Sequence, residues 1–367
     1  MRRPIFRQAG PVLARIRWTS VLPVAALLVL VATWGRDLPG AVVALVAVFL
    51  AGSVLAAVHH AEVVAHRVGE PFGSLVLAVA VTVIEVALIV TLMVSGGSDT
   101  ETLARDTVFA AVMITTNGIV GISLLVAALR QGVASFNAEG TASALATVCT
   151  LAVLCLVLPT FTTGASGSEF TADQLAFAAV ASIALYGLFV FVQTVRHRDY
   201  FLPEQAGPED HADPPSDRDA LTSLGLLLLA LVAVVGLAKL ESSPIEDAVA
   251  AIGAPQSAVG VVIALLVLLP ETLAAVRNAR RDRMQTSFNL ALGSAMASIG
   301  LTIPAIAVAS IWLEGPLVLG LGSTQIVLLA ITAVVGALTV LPGRATLQEG
   351  GVHLVLFAAF VFLALSP

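Results

Sequence analysis

The sequence predicts an all-α polytopic membrane protein, and two observations carry that prediction. Of 367 residues, 58% are hydrophobic and only 11% are charged, whereas a soluble domain is roughly 25% charged. The apolar runs repeatedly reach the ~20 residues that a helix needs to cross a bilayer. Because the runs are numerous and show no alternation of apolar and polar residues, they exclude a single-span anchor and a β-barrel.

Eleven of these runs are predicted to be transmembrane helices. They lie near 18–34, 39–58, 71–95, 107–129, 143–161, 174–195, 221–239, 257–276, 286–312, 325–342 and 352–366. The arginine-rich stretch before the first run shows neither the short apolar core nor the small-residue cleavage site of a signal peptide. We therefore expect it to be a cytoplasmic anchor.

The positions of the basic residues predict the orientation of the chain. If the N-terminus is cytoplasmic, fifteen arginines fall inside, and only Arg36, Arg105 and Lys239 fall outside. Such a bias is typical of membrane proteins and also supports an odd number of spans. The C-terminus is therefore expected to face outward.

A polar connector at 196–220 divides the chain. It holds seven acidic residues, three arginines and four prolines, a composition typical of a solvated, flexible linker. Binding of a regulatory cation to this acidic loop is the alternative that we favour less. The predicted organisation is an N-terminal segment with one extra helix (1–38), a first half (39–195), the cytoplasmic linker (196–220) and a second half (221–367).

Two acidic residues are predicted to lie inside the hydrocarbon region, Glu85 in "VTVIEVALIV" and Glu271 in "LLPETLAAV". A charge there costs at least ~2.5 kcal/mol and usually marks an ion or proton path. The alternative is a protonated packing residue that bonds to a neighbouring helix. Two acids at comparable places in the two halves favour the ion path.

The two halves also share a pattern that runs in opposite senses across the membrane. The spans after the glutamates both begin with Thr-x-Phe, at Thr107 and Thr286, and both carry a glycine at the same distance, Gly121 and Gly300. Small and hydroxyl residues of this kind suit close helix packing. Antiparallel repeats are typical of secondary transporters, whose substrate site lies near the midplane.

Three segments resemble one family: "GEPFGSLVLAVAVTVIEVALIV", "FNAEGTASALATV" and "LLPETLAAVRNARRDRMQTSFNLALGSAMASIGLTIP". They are similar to the ChaA-type bacterial calcium/proton antiporters, a CAX-like branch of the cation/calcium exchanger (CaCA) superfamily. The resemblance implies two inverted five-helix repeats, spans 2–6 and 7–11, after one extra helix. It also implies that Glu85 and Glu271 bind the cation in exchange for protons. ChaA-type members are also associated with sodium and potassium export. The resemblance further implies a location in the plasma membrane of a bacterium, its inner membrane, with the C-terminus on the periplasmic side.

The sequence departs from the superfamily pattern just before each glutamate. The pattern has Gly-Asn four and three residues earlier, where this chain has Val81-Thr82 and Val267-Leu268. The asparagine ligands therefore cannot be carried over, although Thr82 offers one hydroxyl. Pro270 cannot bond to the carbonyl of Leu266, which we expect to be free as a cation ligand.

Calcium takes about six to eight oxygen ligands, and two glutamates supply at most four. The remaining oxygens are expected from the carbonyl of Leu266, from Thr82, from water and from hydroxyl or amide side chains of the partner helices. For each of these side chains, a role in helix packing is as well supported as a role in binding the cation. As cation ligands, Asn117 and Ser294 rank first. The side-chain candidates are Thr115, Thr116, Asn117, Ser294 and Ser298.

These features predict a calcium/proton antiporter that works by alternating access. No basic residue lies in the core to neutralise the two carboxylates, so the empty, doubly ionised site is costly and protons compete with the cation. We expect no resident cofactor, since Ca²⁺ and H⁺ are cargo. The expected partners are the lipid bilayer and small cations, with no nucleic acid and no obligatory protein partner.

Three other functions remain open to different degrees. A Na⁺/H⁺ or K⁺/H⁺ antiporter of the same fold is the main alternative. A cation channel is less favoured, because channels usually build their pore by oligomeric symmetry. An enzyme is disfavoured because no histidine is predicted deep in a span. All six histidines are expected on the cytoplasmic side: His59, His60, His66, His197, His211 and His353.

Overall fold

The computed structural model describes residues 18–36, 38–69, 72–95, 101–202, 215–251, 253–312 and 315–366. Nearly all of this part of the chain is helical, which confirms the predicted fold class. The N-terminal anchor (1–17) and the middle of the acidic linker (203–214) lie outside the described residues.

The helices that precede the linker are α1 (Trp18–Thr33), α2 (Gly40–Val68), α3 (Phe72–Ser95), α4 (Leu103–Gln131), α5 (Ala138–Phe161) and α6 (Ala172–Arg196). Those that follow it are α7 (Asp217–Ala251), α8 (Ser257–Val267), α9 (Leu269–Arg280), α10 (Met284–Ala309), α11 (Ser323–Val340) and α12 (Leu347–Leu365). Among the described residues, nine helices are long and apolar enough to span a membrane, α8 and α9 together form a tenth, bent span, and α1 is a shorter apolar helix. These correspond to the eleven predicted spans.

Two helices are longer than predicted. Helix α2 continues to Val68 and α7 continues to Ala251, because a helix does not have to end where its apolar run ends. The extension of α7 carries Glu241, which is buried, and the first turn of α4 carries a second buried acid, Asp106. Two further acids are therefore buried in the protein, just outside the predicted spans.

The backbone is irregular at the site that the proline predicted. Helices α8 and α9 meet at an angle of 51°, with Leu268 at the junction and Pro270 in the first turn of α9. Since proline has no N–H and crowds the preceding turn, a straight helix cannot continue through it. Helix α4 also contains a π-helical segment, Ile114–Ile119.

Two short backbone pairings connect the halves, one on each face of the molecule. We call the face where α6 ends and α7 begins the linker face, and the other the opposite face. At the linker face, strand β1 (Ala134–Ser135) pairs antiparallel with β2 (Arg344–Ala345). At the opposite face, Glu169 forms an antiparallel bridge with Val318. We count α2 and α7 as the first helices of the two halves, and α8 with α9 as one helix. On each face, the connection after the third helix of one half then meets the connection after the fourth helix of the other.

The two matched glycines make corresponding contacts. A Cβ on Gly121 of α4 would lie 3.0 Å from Leu354 on α12, and one on Gly300 of α10 would lie 2.9 Å from Tyr186 on α6. The third helix of each half thus packs closely on the last helix of the other half. These contacts are the ones expected of an inverted repeat, and the residue boundaries of the repeats stay a prediction.

Two clusters of buried apolar side chains form the core. The smaller one is built mainly from α1, α2, α3, α7 and α8, and the larger one mainly from α4, α5, α6 and α9 to α12. On α3, Ile84 and Leu88 belong to the smaller cluster and Ile89 to the larger. Glu85 therefore lies where the two clusters meet.

Candidate functional site

A cavity of about 220 Å³ lies between α3, α6, α8, α9 and α10, and Glu85 and Glu271 both line it. Its walls come from the first half of α3, the second half of α6 and the first half of α10. Each of these half-helices adjoins the linker face. The cavity therefore extends from the two carboxylates toward the linker face.

Glu85 is buried and bonded to α10. Ser298 donates a hydrogen bond of 2.5 Å to its Oε1, and Thr302 donates one of 3.1 Å to its Oε2. Because Ser298 and Thr302 are four residues apart, they lie on one face of the helix. Both oxygens of the carboxylate thus have a donor from the neighbouring helix.

Glu271 is held differently. It lies in the first turn of α9, where the positive end of the helix dipole favours a negative charge. Its Oε2 is buried and has no hydrogen-bond partner among the described residues, and the same is true of the hydroxyl of Thr82 on α3. Glu85 lines the same cavity as Glu271. Since buried polar atoms normally find partners, these oxygens point to a bound ligand or water.

The polar walls of the cavity add neutral oxygens. Ser294, Ser298 and Asn289 line it from α10, and Gln193 lines it from α6. The described residues hold no group of three or more His, Cys, Asp or Glu side chains that could bind a metal. The chemistry available is therefore that of two carboxylates surrounded by hydroxyl and amide groups, which suits hard cations.

The cavity brings together five of the nine residues that the sequence nominated: Thr82, Glu85, Glu271, Ser294 and Ser298. It does not include Leu266, Thr115, Thr116 or Asn117. Leu266 packs against the smaller apolar cluster, and its neighbours Val267 and Leu268 line the cavity instead.

The three residues of α4 have partners elsewhere. Thr115 donates to the carbonyls of Ala111 and Val112, and Thr116 donates to that of Val112. Hydroxyls on a helix commonly bond back to the preceding turn in this way. All three residues lie in the π-helical segment Ile114–Ile119, which turns their side chains through a different angle from that of an α-helix.

Asn117 belongs to a buried polar network away from the cavity. Its amide nitrogen donates to Thr332 at 2.9 Å, and its oxygen lies 3.1 Å from Nδ1 of His353. The other ring nitrogen of His353 lies 3.1 Å from the hydroxyl of Thr339. Helices α4, α11 and α12 are joined by this network.

Two of the histidines that are expected on the cytoplasmic side are buried inside the protein. His353 is 2% exposed and His60 is 3% exposed. Helix α12 begins at Leu347, so His353 lies more than one turn inside it. His60 is bonded to the carbonyl oxygen of Thr19 at 3.0 Å. Each of the two contacts a neighbouring helix through its ring, His353 with both nitrogens and His60 with Nε2.

Sequence analysis missed Thr302, which bonds directly to Glu85. The signal was present: Thr302 follows Ser298 by four residues and Ser294 by eight, so all three share a helix face. Tyr186 and Gln193 on α6 were also missed as cavity residues. A single sequence does not show which face of α6 meets α10.

A second cavity, of about 320 Å³, lies at the opposite face between the ends of α4, α8, α11 and α12. Below it, α8 contacts α4 so closely that a Cβ on Gly260 would lie 2.8 Å from the backbone nitrogen of Thr107. Asp106 is held beside this contact by Thr102, Arg105 and Gln325. The close contact separates the second cavity from the carboxylates.

A multi-pass helical bundle with two acids facing a cavity that reaches one face has the architecture of a secondary transporter. The chain belongs to the sodium/calcium exchanger protein family, and its similarity to that family covers residues 38–195 and 222–366. This is a family of membrane transporters. The chain is therefore a cation exchanger of the CaCA superfamily, as the sequence predicted.

Two curated relatives are similar over nearly their whole length. The putative ionic transporter y4hA of Sinorhizobium fredii is 46% identical over 357 residues, 95% of this chain and 96% of that protein. The sodium-potassium/proton antiporter ChaA of Escherichia coli is 35% identical over 350 residues, 93% of this chain and 94% of that protein.

Solved structures share the fold. Native YfkE superimposes with a TM-score of 0.73 and 16% identity, covering 95% of this chain and 100% of YfkE. A selenium-substituted form, described as a Ca²⁺/H⁺ antiporter, gives a TM-score of 0.70 and 14% identity, covering 96% of this chain and 100% of YfkE. At this level of identity the likeness defines the fold of the chain.

Proposed function

We propose that the chain is a secondary active transporter that exports Ca²⁺ in exchange for H⁺ by alternating access, with cation and protons competing for Glu85 and Glu271. The observation that supports this best is the pairing in one cavity of Glu85, which is buried, with Glu271, whose Oε2 is buried. The described residues that line this cavity include no lysine or arginine. We further propose that the protein lies in the bacterial inner membrane, with its N-terminus in the cytoplasm and its C-terminus in the periplasm.

The charges at the site explain why exchange is coupled. Two carboxylates without a basic neighbour are costly to expose to low dielectric as a doubly ionised pair. One Ca²⁺ neutralises the pair, and so do two protons. Only these neutral forms cross between the two open states, so two protons must enter for each calcium ion that leaves.

The number of oxygens supports calcium as cargo. Glu85 and Glu271 supply four, and the hydroxyls of Thr82, Ser294 and Ser298 line the same cavity. Calcium prefers about six to eight oxygen ligands, which this set supplies with one water. Of the candidates from α4, we retain Asn117, Thr115 and Thr116 only as helix-packing residues, and we leave Leu266 out of the ligand set.

The direction of loading follows from the cavity and the predicted orientation. The cavity reaches the linker face, which the distribution of arginines assigns to the cytoplasm. In this conformation, therefore, the carboxylates take up a cation from the cytoplasm. Release requires closure of this cavity and separation of α4 from α8 at the opposite face.

A Na⁺/H⁺ or K⁺/H⁺ exchanger is the second candidate. The observation in its favour is the 35% identity to a sodium-potassium/proton antiporter over 93% of the chain. One monovalent cation and one proton would also neutralise two carboxylates.

The experiment that separates them measures proton flux in proteoliposomes that contain a pH-sensitive dye. CaCl₂, NaCl, KCl and MgCl₂ are added separately to the purified protein and to the variants Glu85→Gln and Glu271→Gln. Calcium should move protons in the parent protein and in neither variant. Sodium or potassium acting alone would establish the second candidate, and calcium entry without proton movement would indicate a channel.

Glu241→Gln is the matched control for these variants. Glu241 is also a buried glutamate of a spanning helix, but it lies on α7 and does not line the cavity. Its replacement should leave calcium-driven proton flux at the parent rate. Equal losses in all three glutamine variants would show that any buried acid is needed for folding, and would remove the case for a two-carboxylate site.

A further inference from the structure

The third helices of the two halves, α4 and α10, correspond with a constant difference in residue number. Thr107 corresponds to Thr286 and Gly121 to Gly300, a difference of 179 in both cases. The glycines also make equivalent contacts, each with the last helix of the other half. Subtracting 179 from Thr302, which donates to Glu85, gives Ser123 on α4.

Ser123 has the properties of an unused donor. Its side chain is 1% exposed, and its Oγ has no hydrogen-bond partner among the described residues. It does not bond back to its own helix, as Thr115 does. A buried hydroxyl without a partner is uncommon and calls for an explanation.

Glu271, the acid that corresponds to Glu85 in the other half, has an acceptor atom without a partner among the described residues. Oε2 of Glu271 is buried and has no partner among the described residues. Helix α9, which carries Glu271, packs against Val120–Gln131, the part of α4 that contains Ser123. One unpaired donor and one unpaired acceptor therefore lie on two helices in contact.

We propose that Ser123 donates a hydrogen bond to Glu271 in the conformation open at the opposite face, as Thr302 donates to Glu85 in the conformation open at the linker face. This rests on the proposed function only for the roles of the two glutamates. Ser123 is thus a positioning residue, which holds the second carboxylate after the switch.

The correspondence also predicts an asymmetry between the two states. Subtracting 179 from Ser298, the second donor to Glu85, gives Ile119, which has no hydroxyl. Glu85 therefore has two side-chain donors in one state, and Glu271 has one in the other. Loss of the Ser123 hydroxyl therefore leaves Glu271 without a side-chain donor in that state, because Ile119 cannot replace it.

The test measures how often each face is open. In a Cys149→Ser, Cys155→Ala background, one reporter is Gln193→Cys in the cavity at the linker face, and the other is Ser257→Cys in the cavity at the opposite face. The rate of maleimide labelling is measured in proteoliposomes for each reporter. Ser123→Ala should label faster at 193 and slower at 257, by roughly fivefold, the population ratio expected for one hydrogen bond.

Three matched variants keep the test decisive. Thr302→Ala should shift both rates in the opposite direction, and Ser123→Thr should restore the parent rates. Ser53→Ala removes a buried hydroxyl that bonds to its own helix at Phe49, and should change neither rate. Unchanged labelling in Ser123→Ala, or a shift in the same direction as Thr302→Ala, would overturn the proposal, as would a lower melting temperature with no opposed shift.

Failure of the proposed function would look different. Calcium-driven proton flux is measured in the same proteoliposomes. If the parent protein shows no calcium-driven proton flux, but Ser123→Ala and Thr302→Ala shift the labelling rates in opposite directions, the cargo assignment is wrong and the role of Ser123 stands. If flux is present and depends on both glutamates but labelling does not shift, the function stands and Ser123 is a packing residue.

Discussion

Ser298 on α10 donates a 2.5 Å hydrogen bond to Glu85 on α3, and this bond crosses the boundary between the two apolar clusters. Replacing Ser298 by alanine removes a donor to Glu85 and an oxygen from the cavity. Because a hydrogen bond to a charged group contributes about 1.5 kcal/mol or more, the half-saturating calcium concentration should rise roughly tenfold. Proton flux at a series of calcium concentrations measures the change.

Thr115→Ala is the control for that variant. Thr115 is a buried hydroxyl on α4 that bonds to the carbonyls of Ala111 and Val112 and does not line the cavity. Its half-saturating concentration should stay within about twofold of the parent value, since a bond to the preceding turn contributes little net stability. Similar increases in the two variants would argue against Ser298 as a ligand.

Gly260 determines how closely α8 approaches α4 at the opposite face. An added Cβ would lie 2.8 Å from the nitrogen of Thr107 and 2.9 Å from the carbonyl carbon of Asp106, and backbone atoms cannot move aside as a side chain can. Gly260→Ala should therefore force the two helices apart and increase the labelling rate of Ser257→Cys severalfold. Gly293→Ala on α10, where a Cβ meets nothing within 4 Å, should leave that rate unchanged.

Gly300 allows α10 to pack on α6. A Cβ there would lie 2.9 Å from Cβ of Tyr186, and overpacking of this kind costs about 1–3 kcal/mol. The melting temperature of Gly300→Ala in detergent should therefore fall by several degrees. Gly187→Ala on α6 has open space at the same position and should melt at the parent temperature or higher, since alanine favours helix over glycine. Equal melting temperatures for the two variants would contradict the close contact.

Asn117 distinguishes a structural residue from a cation ligand. Asn117→Ala leaves His353 and Thr332 without their partner, and an unsatisfied buried group costs about 1–3 kcal/mol. We expect a lower melting temperature with an unchanged half-saturating calcium concentration. Ser294→Ala, a change at the cavity wall, should show the reverse. A raised half-saturating concentration in Asn117→Ala would return it to the cation site.

Hydropathy predicted the number of helices because the cost of burying charge in lipid dictates where a span can lie. It did not predict the ends of α2 and α7, since a helix can continue beyond its apolar run and bury a charged residue such as Glu241 inside the protein. The break before Glu271 was predictable, because Pro270 enforces it chemically.

The candidate site was predicted where it depends on single residues, and missed where it depends on helix rotation. Glu85, Glu271, Ser294 and Ser298 reach the cavity, but the residues of Ile114–Ile119 do not. A π-helical segment adds a residue to a turn and so rotates every following side chain. No sequence pattern in α4 indicates that rotation, whereas Thr302 was recoverable from its four-residue spacing.

The backbone pairings at the two faces, together with the packing of Gly121 on α12 and of Gly300 on α6, interlock the halves of the chain. Covalent continuity through the linker is then not what holds them together. A gene cut within 203–214 should still give a single particle, in which two separately synthesised polypeptides co-purify through a tag on one of them.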